Sequence, residues 1–294
     1  VIVDLQCHRL PGSRTKRATL AFLCALALFE PPIAAQELRL PNIADSVKFA
    51  AFGDTGTGDP PQFQVAEEML KYHARFPFDR VIMLGDNIYG GQGPKALDRK
   101  FTQPYKALLD AGVRFYAALG NHDSQNNRNF APFNMDGHRY YTYAVKNVRF
   151  FVIDSDALDP DQMKWLEDAL KSSTNEWKIC YFHHPLYSDG RTHGSDISLR
   201  VVLEPLFVKY GVKVVFSGHD HIYERITPQK GITYFVDGSG GELRKGDLAR
   251  SPMTAAGYDQ DCVFTLVEIV QSAFHFQAVT RTGVVVDSGT IPRQ

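Results

Sequence analysis

Gly85-Asp86-Asn87-Ile88-Tyr89 follows directly on the apolar run Val81-Ile82-Met83-Leu84. A short apolar run halted by Gly-Asp predicts a buried strand with Asp86 at its carboxyl end. In open α/β sheets ligands bind at that end. A single carboxylate after a strand is equally a turn residue, but here the pattern repeats along the chain. Val47 to Phe52 leads to Gly53-Asp54, and Val113 to Leu119 leads to Gly120-Asn121-His122-Asp123. Ile179 to Phe182 leads to His183-His184-Pro185, and Val212 to Phe216 leads through Ser217 to Gly218-His219-Asp220-His221. Five predicted strands thus deliver carboxylate, amide and imidazole groups at their ends.

Between these strands lie helical patterns. Gln62 to His73 carries Val65, Met69 and Tyr72 at helical spacing, so His73 reads as a helix-end residue. Further helices are expected up to Leu109, over Pro160 to Lys171 and over Ile197 to Tyr210. The strand-helix alternation indicates a parallel core covered by helices. Tyr140 to Val145 and Val148 to Ile153 form a predicted hairpin across Lys146-Asn147, and the polar stretch Ser124 to Asn129 has no period. The last part is β-rich: 222–227, 232–236, 262–270, 273–279 and 284–287. The fold expected is a four-layer α/β/β/α sandwich of two mixed β-sheets flanked by helices.

With 294 residues and 44% apolar content, the chain can bury one substantial core. Its formal charge of -1 leaves no basic stripe, which argues against an obligate nucleic-acid partner. Near the N-terminus Arg14, Lys16 and Arg17 precede the apolar run Ala18 to Phe29, and Pro31-Pro32-Ile33-Ala34-Ala35 follows. Basic, apolar and small-residue zones in that order read as a secretory signal over 1–35, with 36–294 as the catalytic domain. The run is short for a bilayer span; an uncleaved anchor or a buried helix is the alternative. On the signal reading the protein is secreted or periplasmic and is not inserted in a membrane after processing. Cys7 and Cys24 fall in that segment, which leaves Cys180 and Cys262 as buried thiols or a disulfide pair. The absence of a CxxC pair argues against a thiolate zinc site.

Two metal ions held ~3.5 to 4 Å apart clamp a phosphate ester and generate a hydroxide nucleophile. Such a site needs a bridging carboxylate, neutral imidazoles and carbonyl oxygens on rigid elements, and the five strand ends provide that set. His219 and His221 would share one side of a strictly extended segment; a turn after Gly218 would send them to different ions.

In order and spacing, Gly53-Asp54, Gly85-Asp86-Asn87-Ile88-Tyr89, Gly120-Asn121-His122-Asp123, His183-His184-Pro185 and Gly218-His219-Asp220-His221 resemble the motifs of the calcineurin-like metallophosphoesterases. The tyrosine three residues after Asp86 narrows the resemblance to the purple acid phosphatases, including the small tartrate-resistant type. The resemblance implies Asp54, Tyr89 and His221 on one ion, Asn121, His183 and His219 on the other, and Asp86 bridging them. A phenolate favours Fe(III) at the Tyr89 site, as tyrosine does on haem iron; Fe(II), Zn or Mn suits the second. The alternative for Tyr89 is a buried core aromatic.

The same resemblance makes His122 the catalytic imidazole, contacting phosphate with Asn121 and protonating the leaving group. His193, in Thr192-His193-Gly194, occupies the loop where small members of the family carry a substrate-facing histidine, one residue further on here; a solvated loop histidine is the alternative. His184 is expected to support the ligands, Asp123 to orient neighbouring backbone or an imidazole, and His138 and His275 to be structural. Thr55-Gly56-Thr57-Gly58 departs from the aromatic that many relatives carry after the first aspartate.

The implied activity is hydrolysis of small phosphate monoesters by a metal-bound hydroxide, an acid phosphatase. A phosphodiesterase or nucleotidase using the same metals is the alternative. A secreted phosphate- or metal-binding protein without turnover is a third reading.

Overall fold

The computed structural model describes residues 37–175 and 177–293 and, apart from these, only residue 12. The expected signal sequence, with Cys7 and Cys24, falls outside the described residues.

In chain order the elements are β1 (Val47–Phe52), α1 (Pro60–His73), β2 (Arg80–Leu84), α2 (Pro94–Leu97) and, across a π-helical turn, α3 (Gln103–Asp110). β3 (Arg114–Ala118), β4 (Tyr141–Val145), β5 (Val148–Val152), α4 (Pro160–Ser172), β6 (Trp177–Tyr181) and α5 (Ile197–Tyr210) follow. The chain then runs through β7 (Val214–Ser217), β8 (Tyr223–Ile226), β9 (Thr233–Asp237), β10 (Thr254–Tyr258), β11 (Val263–Val270), β12 (Ala273–Thr280) and β13 (Val285–Pro292).

These strands build two mixed sheets. The first has the order β13-β12-β11-β1-β2-β3 and the second β10-β8-β9-β7-β6-β5-β4. β1, β2 and β3 run parallel, as do β5, β6, β7 and β9, while the outer strands pair antiparallel.

The period of two along each strand separates three apolar layers. In β1, Phe49 and Ala51 face the space between the sheets, where they meet Phe150, Trp177 and Phe216. Ala50 and Phe52 face outward against Val65 and Met69 of α1 and Tyr105 of α3. On the far side, Phe151 and Cys180 of the second sheet pack with Leu166 of α4 and Leu203 and Phe207 of α5. Helix, sheet, sheet and helix are therefore stacked as the sequence leads one to expect. Cys180 and Cys262 belong to opposite outer layers and are both buried free thiols, which answers the pairing question left open above.

Three segments differ from the sequence reading. β13, expected over 284–287, continues to Pro292 because it pairs antiparallel along β12. Thr254-Ala-Ala-Gly-Tyr258 is a strand, although it lacks a strong β-forming pattern, because it docks antiparallel on β8 with a register shift at Thr254/Ala256. The unperiodic stretch after residue 124 contains two 3-10 turns, Gln125–Asn129 and Ala131–Phe133. Among the described residues no helix is long and apolar enough to cross a membrane.

Candidate metal centre

The ends of β1, β2, β3, β6 and β7 meet at one edge of the sandwich. Asp54, Asp86 and His219 stand there with left-handed backbones, φ 56°, 52° and 71°. Non-glycine residues rarely adopt that conformation, and it concentrates at functional sites where the surrounding fold enforces it. The enforcing contacts are mutual. The amide of Asp54 donates to Gly85 O at 3.0 Å, that of His219 to Asp54 Oδ2 at 2.9 Å, and that of His122 to Asp86 Oδ1 at 2.9 Å.

The side chains fall into two groups. Tyr89 Oη lies 3.1 Å from both Asp54 Oδ1 and His221 Nε2, and these last two are 3.4 Å apart. His183 Nε2 lies 3.0 Å from Asn121 Oδ1, 3.1 Å from His219 Nδ1 and 3.4 Å from Asp86 Oδ1. Ligand atoms of Asp54, Asp86 and His183 all lie within 4.8 Å of one another, which joins the two groups through Asp86. The left-handed turn at His219 breaks the extended run after Gly218, so His219 joins one group and His221 the other.

The donor set fits cations. His183 Nδ1 is 3.0 Å from the Leu84 carbonyl. An imidazole donating there presents a lone pair at Nε2, toward the Asn121 oxygen and the Asp86 carboxylate. Lone pairs facing one another at hydrogen-bond distance call for a positive charge between them. Burial pushes the His183 imidazole down, but the Asp54 and Asp86 carboxylates outweigh it and carry it up to about 9. The site thus attracts a positive charge where a cation would sit. His219 is held far below its usual range by burial and then by His183, which favours the neutral form a metal could use. Burial, followed by Asp54 and Asp86, drives the Tyr89 phenol well above its usual value.

The expected supporting residues divide. Asp123 takes the backbone role: it accepts from the amides of Asn87, Ile88 and Gly120, and also from the side chains of Asn87 and Asn127, and among the described residues it bonds no imidazole. Burial carries its carboxyl up to about 7, against the pull of the Asn87 and Gly120 amides that favour the ionised form. His184 pairs through Nδ1 with Ser155 Oγ at 3.0 Å, and its ring lies 4.4 Å from that of His219. His122 is exposed and packs its ring 4.9 Å from Tyr89. His193 is exposed too, with its ring centroid 4.0 Å from that of His219. His73 ends α1 against Phe78; His275 pairs with Thr290 on the outer face of β12, and His138 is exposed.

One buried residue was not singled out in the sequence. Asp220, between the two histidines of the last motif, turns its carboxylate onto the loop that carries His193. Its place inside His219-Asp220-His221 was the available signal.

Residues 47–223 match the calcineurin-like phosphoesterase family. Purple acid phosphatase 17 of Arabidopsis thaliana is 29% identical over 253 residues, covering 71% of this chain and 72% of that protein. Tartrate-resistant acid phosphatase type 5 of Homo sapiens is 27% identical over 253 residues, covering 70% and 77%. A purple acid phosphatase from yellow lupin (Lupinus luteus) seeds superposes with a TM-score of 0.71 at 20% identity, over 87% of this chain and 55% of that one. With more than half of its length matched, and its strand ends bringing carboxylate, phenol, amide and imidazole groups together in the order of the motifs, the chain belongs to the calcineurin-like phosphoesterases, of the purple and tartrate-resistant acid phosphatase type, enzymes that hydrolyse phosphate esters at a metal centre.

Proposed function

We propose that the protein is an acid phosphatase that hydrolyses small phosphate monoesters at a dinuclear centre. The observation that carries this reading is the convergence of acceptor atoms on two points joined by Asp86. Asp54, Tyr89 and His221 would hold one ion, and Asn121, His183 and His219 the other. Two ions so held would supply Lewis acidity toward phosphoryl oxygens and a nucleophile at neutral or acidic pH.

Tyr89 favours Fe(III) in its group. A hard, highly charged ion is the one that best stabilises a phenolate oxygen. Imidazole and amide oxygen accept Fe(II), Zn or Mn in the other group. Tyr89→Phe is expected to remove the broad visible absorption of a phenolate-iron contact while leaving the fold intact. An unchanged spectrum of the purified variant would count against Tyr89 as a ligand.

His122 has no part in either group of ligand atoms, yet it stands beside both: its amide holds Asp86 and its ring packs on Tyr89. An exposed imidazole there protonates the departing alkoxide, and Asn121 and His193 face the same ester. His122→Ala is therefore expected to keep the full metal content and lose kcat by on the order of 10²-fold or more. Loss of metal in that variant would make His122 a ligand.

Export, with residues 1–35 removed and 36–294 as the catalytic domain, completes the proposal. The deciding assay compares a phosphomonoester with a phosphodiester, using protein as purified, stripped of metal, and reloaded. Monoester turnover that disappears with the metal and returns with it is the expected result. Preference for the diester would make the protein a phosphodiesterase, and phosphate binding without turnover under any metal loading would make it a binding protein.

A further inference from the structure

The segment that brings His219 and His221 to the centre also carries a fully buried carboxylate, Asp220, which faces away from it. Asp220 Oδ2 accepts from Ser188 Oγ at 2.6 Å and from the amide of Gly194 at 3.0 Å, and Oδ1 accepts from the amide of His193 at 3.3 Å. The two legs of the loop, 188 and 193–194, thus close on one side chain. The fit is tight: a Cβ on Gly190 would lie 2.3 Å from Asp220 Cγ. Ser188 Oγ also accepts from the amide of Gly190 at 3.0 Å, which makes the hydroxyl a relay between carboxylate and loop.

His193 itself is exposed, and among the described residues its ring has no hydrogen-bond partner. Its orientation over His219, at 4.0 Å and 34°, is set by the backbone from which it hangs. That backbone is held where the Asp220 carboxylate accepts the His193 and Gly194 amides.

We propose that Asp220 is a positioning residue for ester recognition: it holds His193 over the metal centre and acts on the phosphate through His193, not through the metal ligands on either side of it. This rests on the reading of His193 as a substrate-facing group.

All three partners of Asp220 are donors, so Asp220→Asn, with one oxygen, must set its NH2 group against a donor while preserving volume. In kinetics with a phosphomonoester, the expected result is a rise of about tenfold in KM and in the inhibition constant of inorganic phosphate, as for loss of one charge-assisted contact. kcat and metal content should stay near the wild-type values. His193→Ala should show the same pattern, and the double variant should be no worse than His193→Ala alone. Effects that multiply in the double variant, or loss of metal or kcat at unchanged KM, would overturn the proposal. Ser188→Ala removes the relay at the surface of the carboxylate and should shift KM in the same direction by less; no shift counts against the clamp.

The exposed Arg191 at the loop tip supplies a readout that needs no turnover. Tryptic cleavage after Arg191 should accelerate in Asp220→Asn relative to wild type. Should wild type prove unable to hydrolyse the monoester, the phosphatase reading fails alone, while this cleavage rate and calorimetric binding of inorganic phosphate still test the clamp. Equal cleavage and equal phosphate affinity in both proteins would overturn it.

Discussion

His219→Ala is expected to lose the ion shared with His183 and Asn121, and activity with it. His219 supplies Nδ1 3.1 Å from His183 Nε2, and with Asn121 Oδ1 these atoms enclose one position. Loss of a group that merely supports a ligand weakens metal binding by about 10 to 100-fold, so loss of the ligand should exceed that range. Elemental analysis of protein purified without added metal should show the Tyr89 position filled and the other depleted, with phosphomonoester turnover near background. The backbone complicates the interpretation, because residue 219 sits at φ 71°. Alanine there carries a strain of roughly 1 to 2 kcal/mol, whereas glycine adopts that region freely and offers no ligand atom. His219→Gly therefore separates strain from lost ligation: the same metal deficit without the left-handed strain assigns the loss to the imidazole. Two full equivalents of metal and normal turnover in either variant would remove His219 from the centre.

Most of the architecture was legible because buried parallel strands are near-continuous apolar runs. Val81 to Leu84 is such a run, and it stops where Gly85 and Asp86 leave the sheet. Most bounds shifted by a residue or two, as for β7, read from Val212 but beginning at Val214, whereas β13 runs on to Pro292 through its pairing with β12. β10 was not legible, since Thr254-Ala-Ala-Gly-Tyr258 becomes a strand only through its partner β8. In the site, spacing displayed the ligand-type residues but not the directions of their side chains. That His219 and His221 part company depends on one left-handed residue, and that Asp220 points away from its neighbours depends on a loop thirty residues upstream. Next to Thr55, a Cβ on Gly56 would lie 2.0 Å from Asn87 O, so the β1 and β2 loops pass too closely there for a side chain; nothing in the structure explains the threonine at 55 itself.

The same closeness makes Gly120→Ala the other severe substitution. A Cβ at position 120 would lie 2.3 Å from Asp86 Oδ1, 2.4 Å from the Asp86 amide nitrogen and 2.9 Å from His183 Cγ. A carboxylate oxygen can swing aside, but the Asp86 nitrogen belongs to backbone leaving β2, which is paired on one side to β1 and on the other to β3. The strain must then move either Asp86, which joins the two ligand groups, or the end of β3, which carries Asn121 and His122. Both routes displace groups on which the proposed chemistry depends. Misplacement by about 1 Å is enough to lower turnover roughly 10²-fold, and overpacking of this kind costs about 1 to 3 kcal/mol in stability. The expected result is a folded protein with a lowered denaturation midpoint, reduced content of both metals, and turnover down by about two orders of magnitude or more. Reduced content at both positions distinguishes this variant from His219→Ala, which should spare one, because Asp86 reaches both groups. Near-normal turnover with both metals retained would show that the loops open around the added methyl, and that the close approach of β2 and β3 is not what holds Asp86 in place.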